Sequence, residues 1–128
     1  MFRGEKEIPF VNKPWGYERV FAHTDTYVGK YMFIEEGHQL SRQYHEHKDE
    51  TIFVLAGQLI IEIGPDEDST ITKVGVEVGE AYHITPGTIH RFCASEGVAV
   101  ELIEVSTPEL QDVVRLEDDY NRIPDAIA

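Results

Sequence analysis

Cysteine is almost absent from this sequence, since Cys93 is the only one among 128 residues. A single thiol excludes a disulfide within the chain and is typical of proteins in the reducing cytoplasm. Long apolar runs are missing too, because none reaches the ~18 residues that a membrane-spanning helix needs. The opening residues MFRGEKEIPF contain no apolar core followed by a small-residue cleavage site, so we expect no signal peptide. We therefore predict a cytoplasmic protein that does not enter a membrane.

Positive charge is also scarce. Eleven Lys and Arg face 24 Asp and Glu, which gives a formal net charge of −13. Nucleic acids and anionic membranes are bound through Lys and Arg that neutralise phosphate, so we expect neither as a partner. The negative net charge does not exclude the binding of one small anion by a few neighbouring Lys or Arg residues. The length and the 41% hydrophobic content fit one domain with a single core.

Helical periodicity is absent from every segment of ~12 or more residues. The best helix candidate is the short PELQDVVRL, residues 108–116. Short β-branched or aromatic segments, broken by Gly, Pro or acidic turns, predict strands instead. They are YVGKYMFIEE, TIFVLAGQLIIEIG, AYHITPG and VAVELIEVS, and Ala56-Gly57 within the second predicts a hairpin turn. About eight to ten such strands in one domain predict a sandwich or a barrel.

Metal-binding residue types cluster in QYHEHKDE, residues 43–50. On an extended strand, Gln43, His45 and His47 would share one face. Glu50 begins the next apolar segment, and His90 follows a Pro-Gly turn forty residues later. Imidazole nitrogens with carboxylate and amide oxygens suit Fe, Mn, Ni, Co or Zn. The alternative interpretation is a polar, acid-rich turn that binds nothing.

The spacing of the flanking glycines favours the metal site. Five residues separate Gly37 from Gln43, and six separate Glu50 from Gly57. Five more separate Gly79 from Thr85-Pro86-Gly87, which is followed by His90. This two-part pattern resembles the signature of the cupin superfamily, whose first motif supplies two histidines and a glutamate and whose second supplies a further histidine. The resemblance implies an all-β, cupin-type double-stranded β-helix, a jelly-roll barrel in a single domain.

The same resemblance selects among the candidate ligands. Its register implies that Gln43, His45, Glu50 and His90 bind a divalent metal ion (Zn, Mn, Fe, Ni or Co), while His47 supports them or faces the substrate. The sequence departs from the signature at three positions: Gln43 replaces a histidine, Thr85 a proline and Ala94 an asparagine.

A narrower resemblance covers Lys13 to Arg122. The blocks KPWGYE, GHQLSRQYHEHKDE, PGTIHR, LIEV and DVVRLEDDYNR are similar to the type II mannose-6-phosphate isomerase cupin domain, which often follows a mannose-1-phosphate guanylyltransferase domain. It implies an N-terminal arm over residues 1–12, a cupin barrel over 13–122 and a C-terminal tail over 123–128. Arg42 and the pair Thr51-Ile52 depart from the family pattern, which affects the expected substrate more than the fold.

The family implies that mannose 6-phosphate and fructose 6-phosphate are interconverted. A proton must move between C1 and C2 of the open-chain sugar through an enediol, and a divalent metal can polarise the carbonyl. A nearby base with a pKa close to the operating pH must carry that proton. We assign this role to His47, with Glu101 and Glu104 as weaker candidates because strand glutamates commonly face solvent.

The sugar phosphate needs cations, and the resemblance implies Lys30 and Arg122 for this role, with Arg91 next. Trp15 and Tyr17 are expected in the core or at an interface between subunits, and we expect a homodimer. Two other functions stay open: a metal-binding cupin with another activity (oxygenase or lyase), and a non-catalytic sugar-binding cupin or partner subunit of a separate nucleotidyltransferase. Gln43 favours the isomerase, since a neutral oxygen ligand supports redox cycling less than a third histidine.

Overall fold

The computed structural model describes residues 8–109 and 111–121 and folds them into two antiparallel sheets. The strands in chain order are β1 (Val11–Lys13), β2 (Gly16–His23), β3 (Val28–Ile34), β4 (Arg42–Tyr44), β5 (Glu50–Ala56), β6 (Leu59–Ile63), β7 (Thr72–Val76), β8 (Ala81–Ile84), β9 (His90–Ala94), β10 (Val100–Ser106) and β11 (Val114–Glu117). The sheet orders are β1-β2-β3-β10-β5-β8 and β11-β4-β9-β6-β7. Within the described ranges the chain has no helix long and apolar enough to cross a membrane. The all-β prediction is confirmed.

Alternating burial explains why these segments form strands. In β5, Ile52 and Val54 are fully buried, whereas Phe53 and Leu55 are 43% and 42% exposed. Side chains of a strand point to opposite faces in turn, so one face of each sheet meets the core and the other does not. The strands predicted from this alternation are all present, including the pair that turns at Ala56-Gly57.

The inner faces of the two sheets enclose one hydrophobic core. Its buried residues include Ile52, Val54, Ile84 and Phe92. Trp15 is also buried there, whereas Tyr17 lies half-exposed on the outer face of the six-stranded sheet. The two aromatic residues of the KPWGYE block therefore have separate structural roles.

The helix predicted for residues 108–116 is wrong where the structure describes it. Val114–Glu117 is β11, whose Val114 pairs with Tyr44 and whose Arg115 pairs with Gln43 on β4. Adjacent β-branched residues favour extended backbone, and the edge of β4 offers unpaired backbone groups that β11 satisfies. Leu110, within the same segment, lies outside the described residues, as do the predicted tail 123–128 and residues 1–7 of the predicted arm.

Inward-facing rows change from apolar to polar residues at one end of the barrel. Each row begins with a polar residue and continues with apolar ones: Lys30, Met32 and Ile34 on β3; Glu50, Ile52 and Val54 on β5; Glu104, Leu102 and Val100 on β10; His90, Phe92 and Ala94 on β9. Pairing of Lys30 with Glu104, and of Ser106 with Glu50, brings the polar ends to the same end of the six-stranded sheet. The functional candidates therefore lie beside the core, inside the barrel.

Two turn glycines allow the fold to be tested. Gly57 and Gly79 have φ angles of +79° and +85°, in the left-handed region that glycine adopts without strain. A methyl group on Gly57 would collide with the backbone carbonyl oxygen of Ala99, whereas one on Gly79 would meet nothing within 4 Å.

We predict that Gly79→Ala lowers the free energy of unfolding by about 1 kcal/mol, the cost of a positive φ in alanine. Gly57→Ala should cost about 3 kcal/mol or more, because the collision adds to that strain. Denaturant unfolding of both variants measures the difference. Equal losses in the two variants would contradict the close approach of the Gly57 turn to Ala99.

Candidate metal centre

Three buried side chains meet at the polar end of the barrel. His45 follows β4, Glu50 begins β5 and His90 begins β9, and one ligand atom of each lies within 4.8 Å of the others. The Nε2 atom of His45 is 3.3 Å from Glu50 Oε2, and Nε2 of His90 is 3.7 Å from Glu50 Oε1. All three are at most 6% exposed. Two imidazoles and a carboxylate in this arrangement could hold a metal ion.

Backbone carbonyls orient both imidazole rings. His45 Nδ1 lies 2.8 Å from the carbonyl oxygen of Asp112, and His90 Nδ1 lies 2.8 Å from that of Thr88. A carbonyl only accepts hydrogen bonds, so each Nδ1 carries the proton and each Nε2 is left with a lone pair. Nε2 of His90 is buried and has no hydrogen-bond partner among the described residues. An inward lone pair fixed by an Nδ1 hydrogen bond is what a histidine ligand requires.

Burial keeps the two imidazoles neutral. The pKa of His90 is lowered to about 4, chiefly by burial and in part by the neighbouring His45 and Lys48, while the Thr88 carbonyl opposes this shift. Burial and the Lys48 ammonium also hold the pKa of His45 below its ordinary value. Only the neutral imidazole binds a metal ion, so the rings are in the form suited to ligation at neutral pH.

Gln43 reaches the same end of the barrel from β4. Its Nε2 atom lies 3.4 Å from His45 Nε2, and its Oε1 atom accepts a 2.6 Å hydrogen bond from the Ser41 hydroxyl. Amide oxygen and nitrogen are assigned from such networks, and a hydroxyl serves equally well as an acceptor. The flipped amide would donate to Ser41 and turn its oxygen towards His45 Nε2. Gln43 therefore fits as a fourth, neutral ligand.

A buried lysine, Lys48, accompanies the cluster. Its ammonium is 3.3 Å from Glu50 Oε2 and 2.9 Å from Glu104 Oε2, and it is 5% exposed. Burial alone would lower the pKa of Lys48, but the charges of Glu104 and Glu50 outweigh it and raise the pKa. Lys48 is thus a permanent cation between two carboxylates.

The two carboxylates respond differently to their surroundings. The pKa of Glu50 is raised to about 7, chiefly by burial and in part by repulsion from Glu104, while Lys48 opposes the rise. Burial would also raise the pKa of Glu104, but Lys30 and Lys48 outweigh it and hold that pKa below its ordinary value. Glu104 is therefore ionised at neutral pH. Glu50 is the carboxyl group from which a binding cation would displace a proton.

These groups line a cavity of about 120 Å³ that extends towards the N-terminal strands. Besides the cluster, four cations face it: Lys13, Lys30, Lys48 and Arg115. Glu18 lies 3.7 Å from Lys13 and 3.5 Å from Lys30, and Lys30 is 3.9 Å from Glu104. The cavity thus holds four cations against three carboxylates, in a chain that is strongly acidic overall.

Asp112 fixes the loop that carries His45. Its carboxylate accepts hydrogen bonds from the backbone N–H groups of Glu46, His47 and Lys48, at 3.2, 2.7 and 2.9 Å. Its carbonyl oxygen also accepts the bond from His45 Nδ1. Asp112, two residues before β11, therefore orients His45 and holds the backbone from which Lys48 enters the cavity.

The structure does not bring His47 to the cavity, contrary to the prediction that it acts as the base there. β4 ends at Tyr44, so the alternation that would place His47 beside His45 stops before it. His47 is exposed and lines a separate surface cleft with His23 and Glu109. Of the weaker candidates, Glu104 is buried in the cavity, whereas Glu101 is outward and accepts a hydrogen bond from Tyr31.

The predicted phosphate-binding residues have different placements. Lys30 lines the cavity. Arg91 does not, because its guanidinium donates to the Leu40 carbonyl at 2.7 Å and to Asp119 at 3.2 Å on the outer side of β9. Arg122 lies outside the described residues.

Lys48, Lys13, Arg115 and Asp112 were not predicted from the sequence. A signal existed for Lys48, because it precedes Glu50 by two residues within the motif itself. Lys30 and Glu104 have a clearer sequence signal. Each is a charged residue at the end of a series in which every second position is apolar. Nothing local indicates Arg115 or Asp112, whose roles depend on pairing between distant segments.

Comparison with known proteins identifies the family of the chain. The model of the family described as mannose-6-phosphate isomerase C-terminal matches residues 5–123. A mannose-1-phosphate guanylyltransferase of Escherichia coli is 34% identical over 117 residues, which are 88% of this chain but 23% of that protein. The chain thus spans less than a quarter of that relative's length.

Solved structures with low sequence identity share the fold. The capsular polysaccharide assembling protein CapF from Staphylococcus aureus superimposes with a TM-score of 0.76 at 19% identity, over 87% of this chain and 34% of that one. Oxalate decarboxylase from Lactobacillus farciminis gives a TM-score of 0.70 at 15% identity, over 86% of this chain and 34% of that one. The fold is that of the cupin superfamily, and the chain belongs to the mannose-6-phosphate isomerase C-terminal family.

Proposed function

We propose that the protein is a metal-dependent isomerase that interconverts mannose 6-phosphate and fructose 6-phosphate. The observation that carries the proposal is the buried His45–Glu50–His90 cluster, which opens on a cavity with four cations in a chain of this family. The cluster offers ligands for a divalent metal, and the cations offer partners for a phosphate group. Both are needed for this reaction.

In this proposal His45, Glu50 and His90 hold the metal, with Gln43 as the fourth ligand. The metal would act as a Lewis acid that polarises the sugar carbonyl and stabilises the negative charge developing on its oxygen. Glu50 contributes the only negative charge of the set, and ionisation of its carboxyl would accompany binding. The neutral imidazoles need no loss of a proton.

We assign proton transfer to Glu104 in place of His47. Its ionised carboxylate lines the cavity and is held by Lys48 at 2.9 Å. It would remove the proton from C2 of open-chain mannose 6-phosphate; the electron pair of that C–H bond would form a C1–C2 double bond while the C1 carbonyl electron pair moves onto O1, which gives an enediolate. Transfer of the C2 hydroxyl proton to O1 and return of the abstracted proton to C1 would then give fructose 6-phosphate. The Lys48 ammonium keeps the carboxylate oriented.

The phosphate would lie against Lys13, Lys30 and Arg115, on the side of the cavity towards the N-terminal strands. Once a divalent ion is bound, the positive charges of the cavity exceed its carboxylates by a wider margin, which favours a dianionic ligand. Apolar side chains of Trp15, Phe92 and others line the cavity and limit water around the reacting carbons.

We also propose that the protein works as a cytoplasmic homodimer on this small substrate, without a nucleic-acid partner. The single cysteine is consistent with a reducing compartment. Burial, together with the charge of Glu62, raises the pKa of the Cys93 thiol to about 11, so the thiol is protonated and unreactive at neutral pH.

Conversion of mannose 6-phosphate tests the proposal directly. Proton NMR should show that metal-replete protein forms fructose 6-phosphate from mannose 6-phosphate. Treatment with a chelator should abolish the conversion. Re-addition of a divalent metal should restore it. Absence of conversion by protein with one firmly bound metal ion would contradict the isomerase and favour another cupin reaction or a binding role.

Glu50→Gln tests the ligand assignment. We expect this substitution to abolish tight metal binding and to raise the free energy of unfolding of the metal-free protein. Because the pKa of Glu50 is higher in the folded chain than its usual 4.5, its protonated form favours folding, and this stability is lost as the pH rises through about 7. The variant should therefore gain on the order of 2 kcal/mol over the native protein at pH ~8 and almost nothing near pH ~4.5.

Metal stoichiometry and denaturant unfolding in chelator measure the two effects of Glu50→Gln. Glu67→Gln, at an exposed loop position, is the matched control and should change neither. Full metal stoichiometry in Glu50→Gln would remove Glu50 from the ligand set.

Glu104→Gln tests the assignment of the base, and we expect kcat to fall by about 100-fold or more with little change in metal binding. Glu101→Gln is the matched control, because Glu101 is on the same strand but on the outer face. A steady-state coupled assay measures both, with thermal melting to verify folding. A large loss in His47→Ala together with an active Glu104→Gln would return the role to His47.

A further inference from the structure

Strand β11 contains an irregularity that changes the direction in which its side chains point. Arg115 pairs with Gln43 on β4. The next residue of β4 is Arg42, and it pairs with Glu117 instead of Leu116. Leu116 is thus an extra residue in the register, and it is 41% exposed. Two residues of one strand opposite one step of its partner form a β-bulge, a feature that commonly re-aims a side chain beside a functional site.

The bulge separates two charged side chains that a regular strand would place together. Residues two apart on a strand share a face, so without the bulge Arg115 and Glu117 would point the same way. Instead Arg115 lines the cavity, whereas the Glu117 side chain is 62% exposed and contacts Arg42 on the outer side of the five-stranded sheet. The extra residue therefore lets β11 direct a cation inward while it holds an outer ion pair.

Two buried guanidinium groups hold the Glu117 carboxylate. Its Oε1 atom accepts a 3.1 Å hydrogen bond from Nε of Arg42, and its Oε2 atom lies 3.8 Å from Nη1 of Arg91. The two arginines are 5% and 4% exposed. Arg42 also donates to Glu62 at 2.8 Å, and Arg91 donates to the Leu40 carbonyl at 2.7 Å. Both guanidinium groups are thus fixed by segments other than β11, so they give Glu117 a defined position.

Strand β11 has few other contacts that could set its position. It has four residues, and within the described ranges it lies at the edge of its sheet and pairs with β4 alone. A short edge strand with a bulge has few ladder hydrogen bonds to fix its register, so side-chain contacts contribute to its placement. Because Arg115 is two residues from Glu117, a shift of one displaces the other.

We infer that Glu117 is a positioning residue, which through Arg42 and Arg91 holds the bulge so that Arg115 points into the cavity and binds the phosphate group of the substrate. A guanidinium group offers several N–H donors in a planar fork that matches phosphate oxygens. Lys13 and Lys30 line the same cavity and add positive charge. The inference rests on the proposed function only for the phosphate, and it does not depend on the metal or on proton transfer.

Electrostatics alone predicts the opposite effect of Glu117. A carboxylate near an anion-binding site repels the anion, so its removal should strengthen the binding of phosphate. If Glu117 acts by holding Arg115 in place, its removal should weaken that binding. The direction of the change in affinity therefore separates positioning from charge.

Glu117→Gln tests the inference, with inorganic phosphate as the probe. The full chain is treated with chelator and dialysed, so that phosphate cannot bind a metal ion, and titrated at constant ionic strength while amide NMR shifts are followed. We expect the Kd for phosphate to rise about 5-fold or more, because a displaced Arg115 loses charge-assisted hydrogen bonds.

Asp119→Asn is the matched control for this variant. Asp119 contacts Arg91 at 3.2 Å on the same surface but lies outside β11, so the substitution removes the same charge without freeing the bulge. Its Kd for phosphate should not rise. The melting temperature and metal stoichiometry of Glu117→Gln should stay near native, since exposed ion pairs contribute little to stability.

Arg115→Met identifies the route by which Glu117 acts. This substitution should raise the Kd for phosphate by about 10-fold or more. Adding Glu117→Gln to it should cause no further rise, because the side chain that Glu117 positions is then absent. A merely structural role of Glu117 would weaken binding equally in both backgrounds.

Four results would overturn the inference: a native chain that binds no phosphate, unchanged or tighter binding in Glu117→Gln, an equal loss in Asp119→Asn, or additive losses in the double variant. The isomerase assay fails separately. Phosphate binding with the expected variant effects but no conversion of mannose 6-phosphate would contradict the isomerase alone. Conversion by a protein whose phosphate affinity is insensitive to Glu117→Gln would contradict only the role of Glu117.

Discussion

The burial of Glu50 beside two neutral imidazoles is the constraint on which the rest of the site depends. A carboxylate removed from water needs a positive partner, and the chain supplies Lys48 at 3.3 Å. Lys48 then needs a second anion, which is Glu104, and Glu104 in turn faces Lys30. Alternating charges thus extend from the candidate ligands into the cavity.

This arrangement lowers the free energy of unfolding of the metal-free protein, and binding of a metal ion can recover part of that cost. The raised pKa of Glu50 and the lowered pKa of His90 indicate that both groups would be better accommodated in their uncharged forms. A divalent ion reverses this preference at Glu50, because an ionised carboxylate is then the favoured ligand. Buried polar groups that strain a fold when alone are commonly found at functional sites.

Much of the fold was predictable because alternation reports burial directly. The strands around Ile52 and Leu102 have a clear period of two, and the turn at Gly57 has a residue suited to positive φ. β11 was misread as a helix, since Val114 and its neighbours form a strand only by pairing with β4. Pairing between distant segments leaves little trace in local periodicity.

The candidate site was predictable only in part, for the same reason. Spacing indicated His45, Glu50 and His90, which the fold brings together. His47 was assigned to the cavity on the assumption that the strand continues past Tyr44, and the Asp112 carboxylate instead holds its backbone at the surface. Arg115 reaches the cavity from β11, more than sixty residues beyond the motif.

The most direct test of the metal centre is an anomalous difference map from crystals of metal-loaded protein, measured at the absorption edge of the bound metal. We predict one strong peak between Nε2 of His45, Nε2 of His90 and the Glu50 carboxylate. A dominant peak in the surface cleft beside His23 and His47, or none at the polar end of the barrel, would contradict it.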